Sequence, residues 1–177
     1  MSTLSAQVPP PTAVRLSQTL GVEIKMSSAS HMKELPQLVA RWLSEAVQEV
    51  PPESAENVKG AFQSLGQAAS TDLVALYEQI GGMQMMDNNY FRLWPLSEIR
   101  EENASPSPQG VLFADYLLDS WRYRIKPISE GESMVYVDHC DGKLPLPVGK
   151  NLQDFLRCCL SDPDAVLHHP GCRGADA

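Results

Sequence analysis

Along this chain the spacing of apolar residues changes period repeatedly, and each change marks an element. Val14, Leu16, Leu20, Val22, Ile24 and Met26 fall on even positions with Arg15, Ser17, Thr19, Glu23 and Lys25 on odd ones, which predicts a strand or a hairpin broken near Gly21. From Leu35 the repeat lengthens. Leu35, Leu38, Val39, Trp42, Leu43, Ala46, Val47 and Val50 follow i, i+3, i+4, i+7 spacing, the apolar stripe of a helix that Pro36 can open and Pro51-Pro52 ends. Trp42 on that stripe is expected to be buried against the two helices that follow. Ser54 is placed to cap the first of these, with Val58, Ala61, Phe62 and Leu65 inward and Gly66 as its stop. Ser70 or Thr71 opens the next, with Leu73, Leu76, Tyr77 and Ile80 inward and Gly81-Gly82 at its end.

Beyond Gly82 the pattern is β. Asn89 to Trp94 reads as a strand, Leu96 to Asn103 as a turn of helix or loop carrying Glu98, Glu101 and Glu102, and Ser105 to Gly110 as a surface loop. Val111 to Pro127 reads as a hairpin. In its second half Trp121, Tyr123 and Ile125 alternate with Arg122, Arg124 and Lys126, so one face suits a core and the other water. A strand at Glu132 to His139 and a turn at Asp141-Gly142 follow, and the two prolines of KLPLPV restrict any strand there to an edge. Asn151 caps a final helix with Leu152, Phe155, Leu156 and Cys159 inward.

At 177 residues and 43% hydrophobic, the chain can bury one proper core. Residues 1–13 are rich in Pro, Ser and Thr, and the division expected is an N-terminal extension over 1–30, one domain over 31–164 and an irregular tail over 165–177. Fourteen basic against twenty-two acidic residues give a net charge of -8, which disfavours nucleic acid and anionic membranes as partners and favours a basic protein surface, or simply keeps the protein soluble. The N-terminus lacks the pattern of a secretory signal, and no apolar run approaches the ~18 residues of a membrane span. Cys140, Cys158, Cys159 and Cys172 do not read as a disulfide framework, so free thiols and a cytoplasmic location are expected.

Candidate chemistry is sparse. His139, Cys140 and Asp141 supply base, nucleophile and acid, but neighbours on an extended strand point to opposite faces. Cys158, Cys159, His168, His169 and Cys172 are soft ligands without the spacing of a zinc site, so neither a metal nor a cofactor is expected. Asp115, Asp119, Asp138 and Asp141 fall at strand ends or turns, where they could converge on one rim of a sheet. GxGxxG, Walker, GxSxG and HExxH motifs do not occur, which argues for a binding module over an enzyme.

The order of these elements resembles the SUKH superfamily, whose best known branch holds the Smi/Knr regulators of yeast cell-wall assembly. The likeness runs from about Trp42 to Asp164 and rests on LYEQIGG (Leu76 to Gly82), YFRLWPLSEI, the FAD of Phe113 to Asp115 and the NLQDFL helix; Ala69-Ser70 stands where the family usually has a Leu-Pro step. The resemblance implies an α+β fold, with N-terminal helices packed on a mixed, mostly antiparallel sheet, a C-terminal helix and a shallow cleft. It also implies a non-enzymatic protein-binding role, foremost that of a bacterial immunity protein neutralising a cognate toxin. The alternatives are a regulatory scaffold similar to the yeast branch, or a small ligand-binding protein or enzyme using the cleft. For an immunity role, Glu98, Glu101, Glu102, Asp115, Asp119 and Asp138 are the expected contacts with a basic toxin domain.

Overall fold

The computed structural model describes residues 35–37, 39–41, 43–44 and 48–161. The strand expected at Val14 to Met26, Trp42 and the tail with His168, His169 and Cys172 lie outside the described residues.

Residues 35–37, 39–41 and 43 are helical, with Leu35 and Val39 in the core. The helix does not reach Val50 as its stripe suggested. Gln48 to Val50 instead lie against the Gly81-Gly82 turn: Val50 N donates to Gly82 O at 2.8 Å, Gly81 N to Val50 O at 3.0 Å and Gln84 N to Gln48 O at 2.9 Å. Val50 precedes Pro51, and a residue before proline is pushed out of the α region toward extended backbone. The contact is so close that a Cβ on Gly81 would sit 1.9 Å from Pro51 O, while Gly82 has φ 127°, so both positions need glycine.

Helix α1 (Ala55–Ser64) starts as expected, with Ser54 Oγ accepting from Asn57 N at 3.2 Å, and stops at Gly66, φ 76°. Helix α2 (Thr71–Tyr77) follows. Its first turn is anchored to the sheet through a buried knot in which Asp72 accepts from Ser133 N at 2.8 Å and from Ser70 Oγ at 2.6 Å, and the two serine hydroxyls also bond to each other. The segment from Leu96 is a true helix, α3 (Leu96–Glu102), with Leu96 and Ile99 buried.

The sheet is a meander of β1 (Phe91–Leu93), β2 (Val111–Tyr116), β3 (Trp121–Pro127), β4 (Ser133–Asp138) and β5 (Leu146–Pro147), in that spatial order. Each neighbouring pair is antiparallel, so the fold is α+β as expected. β5 is a two-residue edge containing Pro147. The outer side of β1 is occupied by chain, with Met83 N donating to Leu93 O at 2.8 Å and Asp87 N to Phe91 O at 2.9 Å.

Helix α4 (Leu152–Ser161), capped by Asn151 Oδ1 on Asp154 N at 2.9 Å, lies on one face of this sheet. Phe155 is its centrepiece, with ring centroids at 4.9 Å from Tyr123, 5.8 Å from Phe91 and 6.1 Å from Phe113. All four rings are buried. Trp121, expected in the same core, is only half-buried and packs edge-on against His139 at 4.4 Å.

Candidate functional site

Strand register on the other face brings four charged residues into a row. Arg92 pairs with Asp115, Asp115 with Arg122 and Arg122 with Asp138, so alternating signs cross β1 to β4. Helix α3 lies beside the β1–β2 end of the row and adds two more carboxylates. Arg92 Nη2 is 2.7 Å from Glu98 Oε1, and its Nε is 2.9 Å from Asp115 Oδ1. Arg122 Nη1 reaches Glu102 at 3.1 Å and its Nε reaches Asp119 at 3.5 Å. Arg124 Nε holds Asp138 at 2.7 Å while its Nη1 donates to Gly110 O at 3.1 Å.

Asp115 is the hub. It is 1% exposed and accepts three hydrogen bonds, from Arg92 Nε, from Trp94 Nε1 at 2.6 Å and from Asp119 N at 3.1 Å. The Trp94 ring also has the guanidinium carbons of Arg92 and Arg122 at 6.0 and 5.8 Å from its centroid. Burial alone would lower the Arg92 pKa, but its bonds and proximity to Asp115 and Glu98 outweigh that and raise it. Burial holds the Glu98 carboxyl above its usual range; Arg92 opposes this, and the like charges of Asp115 and Asp119 add to it.

These placements correct the expectation of an open acidic surface. Asp115 is internal and cannot meet a partner directly. Asp138, 13% exposed, is committed to Arg124, and Glu98 to Arg92. Arg122 and Arg124 are not the freely solvated face that alternation suggested, being 27% and 14% exposed and tied to those same acids. Glu102 and Asp119, 42% and 50% exposed, share Arg122. Glu101 is exposed and forms no ion pair with the described residues.

The expected rim exists, but its character is different. In a meander, the start of β1, the end of β2, the start of β3 and the end of β4 lie at one end of the sheet. Every non-glycine residue with positive φ among the described residues lies in the loops there: Tyr90 at 62°, Leu117 and Leu118 at 51°, Asp119 at 62° and Cys140 at 54°. Three of them are consecutive, a run of left-handed backbone that costs roughly 1–2 kcal/mol per residue. Exposed apolar side chains share this end, including Leu118 at 82%, Leu144 at 74% and Tyr90 at 58%. Leu117 N donates to Tyr90 O at 3.0 Å and Asp119 N to Asp115, so the turn is fastened to β1 and to the hub.

Sequence reasoning missed Arg92 and Trp94, whose importance depends on register, and it passed over Leu117 and Leu118. The signal for the leucines was available: a hairpin turn normally filled by Gly, Asn or Asp carries two adjacent leucines.

The His139–Cys140–Asp141 trio forms no relay. His139 packs on Trp121, Cys140 N donates to Asp138 Oδ1 at 2.9 Å, and Asp141 pairs with Lys143 at 2.8 Å. Partial burial and then the charge of Asp138 push the Cys140 thiol up, the reverse of what activates a nucleophile. Among the described residues no His, Cys, Asp or Glu cluster is placed to hold a metal ion, and no helix is long and apolar enough to cross a membrane. No family model matches the chain, and no curated protein matches it either.

Proposed function

We propose that this chain is a non-enzymatic protein-binding domain of the SUKH type, acting in the cytoplasm as an immunity protein that neutralises a basic toxin domain. The observation that carries the binding role is the gathering of exposed apolar side chains and left-handed backbone at one end of the sheet. Strained conformations and solvent-facing leucines both oppose stability, and proteins retain such features at surfaces that work. The immunity role rests on the order of elements, which resembles that superfamily, and on the net charge of -8.

The charge mechanism narrows accordingly. Asp115, Asp138 and Glu98 hold the scaffold, and the acids left to face a toxin are Glu101, Glu102 and Asp119, at the C-terminal end of α3 and in the β2–β3 turn. The resemblance implies a toxin encoded beside its immunity protein, and opposite charges across the interface speed encounter, so association with the product of the neighbouring reading frame should slow as salt rises and the Debye length falls from about 10 Å at 0.1 M to about 3 Å at 1 M. Stopped-flow kinetics at two salt concentrations test this. Glu101→Gln with Asp119→Asn should slow association and weaken its salt dependence. Equal rates for variant and wild type, or no complex at all, would sink the proposal.

A further inference from the structure

We infer that the β2–β3 turn is a preformed apolar plug, and that its partner presents an apolar stripe flanked by lysine or arginine. This rests on the protein-binding reading above and names the chemistry of the surface it meets. The turn joins Tyr116 to Trp121, which are paired across the hairpin, so Leu117 to Ser120 form its whole loop. Leu118 at its tip is 82% exposed, with Leu117 and Tyr90 exposed beside it at 39% and 58%.

A floppy loop could hide these side chains, but this one is braced. Ser120 N and Oγ donate to Leu117 O at 3.2 and 2.7 Å, Leu117 N donates to Tyr90 O, and Asp119 N donates to the Asp115 carboxylate. Asp115 is in turn fixed by Arg92 and Trp94. The buried charge row therefore acts on the turn as a positioning device. A tip held in one shape loses little freedom on binding, which is the advantage of preorganisation.

The charge around the tip selects the partner. Arg122 faces two carboxylates, Glu102 and the turn's own Asp119, while Lys143 is matched by Asp141. The flank of the plug is therefore acidic, and a complementary surface is apolar along its centre and cationic at its edges.

The probe is a fluorescein-labelled synthetic helix of leucine and lysine, with one leucine stripe flanked by lysines, titrated with the full chain and read by anisotropy. Three proteins are compared: wild type, Leu118→Asp, and Ile128→Asp, the last at an exposed residue just after β3, at the opposite end of the sheet. Both variants gain a negative charge, so attraction by charge alone would tighten both. The expected result is that Leu118→Asp weakens binding about tenfold or more, the scale of one buried leucine, while Ile128→Asp does not weaken it. Equal behaviour of the two variants, or no binding by wild type, overturns the inference. The peptide stands apart from any toxin: if it maps to the turn while the neighbouring gene's product fails to bind, the immunity reading falls and the plug stands.

Discussion

The two faces of the sheet solve the same problem in opposite ways. Under α4, Phe91, Phe113, Tyr123 and Phe155 interlock as rings, and the one polar atom among them, Tyr123 Oη, is buried without a hydrogen-bond partner. On the opposite face Arg92, Asp115, Arg122 and Asp138 run in a row, and each of them has a partner of opposite charge. The apolar face tolerates an orphan because ring packing dominates it. A charge row tolerates none, since a buried ion left alone costs far more than a buried hydroxyl. That contrast explains why three of the six carboxylates that looked like contact residues, Glu98, Asp115 and Asp138, are structural, and why the proposed contact surface lies at the end of the sheet where neither face covers the turn.

The largest effect is expected from Arg92→Leu. It leaves the 1%-exposed Asp115 carboxylate without its cation, and denaturant unfolding should show a loss of about 3–5 kcal/mol, as for other broken buried pairs. A loss below about 1 kcal/mol would mean that the row behaves as an exposed surface pair. A smaller effect of opposite sign is expected on the other face. Tyr123→Phe removes a hydroxyl whose burial is uncompensated and whose pKa burial raises, so it should stabilise the domain by about 1 kcal/mol. Destabilisation would reveal a partner for that oxygen.

The smallest expected effect concerns pH. Burial raises the folded-state pKa of Glu98, so its favourable contribution is complete below the unfolded-state value and is lost as pH rises through the folded one. Glu98→Gln resembles the protonated form. Across that window the wild type should lose stability relative to the variant, and unfolding midpoints of the two proteins measured from acid to neutral pH check the sign.

Local rules made much of this fold legible. Ser54, Gly66 and Asn151 act as caps because capping needs only a side chain or a glycine within reach of its own helix end. Alternation at Trp121 to Lys126 located the strand and its two faces for the same reason. What escaped depends on contacts distant in sequence. The helix stripe ran on to Val50, but the Gly81-Gly82 backbone takes Gln48 to Val50 into an extended pairing. Asp115 reads as a surface acid until register sets it beside Arg92, twenty-three positions away. The hairpin was legible but the left-handed backbone of Leu117 and Leu118 at its turn was not, because the turn is held by bonds to Tyr90 and to Asp115.

The proposed contact surface is the loop end of the sheet. Its most direct test is the affinity of Leu118→Asp for the product of the neighbouring reading frame, with the unfolding midpoint read on the same sample. Asp accepts left-handed backbone better than Leu does, and Leu118 buries little, so the midpoint should hold. Affinity should fall about tenfold or more while stability is kept. Wild-type affinity in a stable Leu118→Asp protein would contradict it and move the contact surface elsewhere.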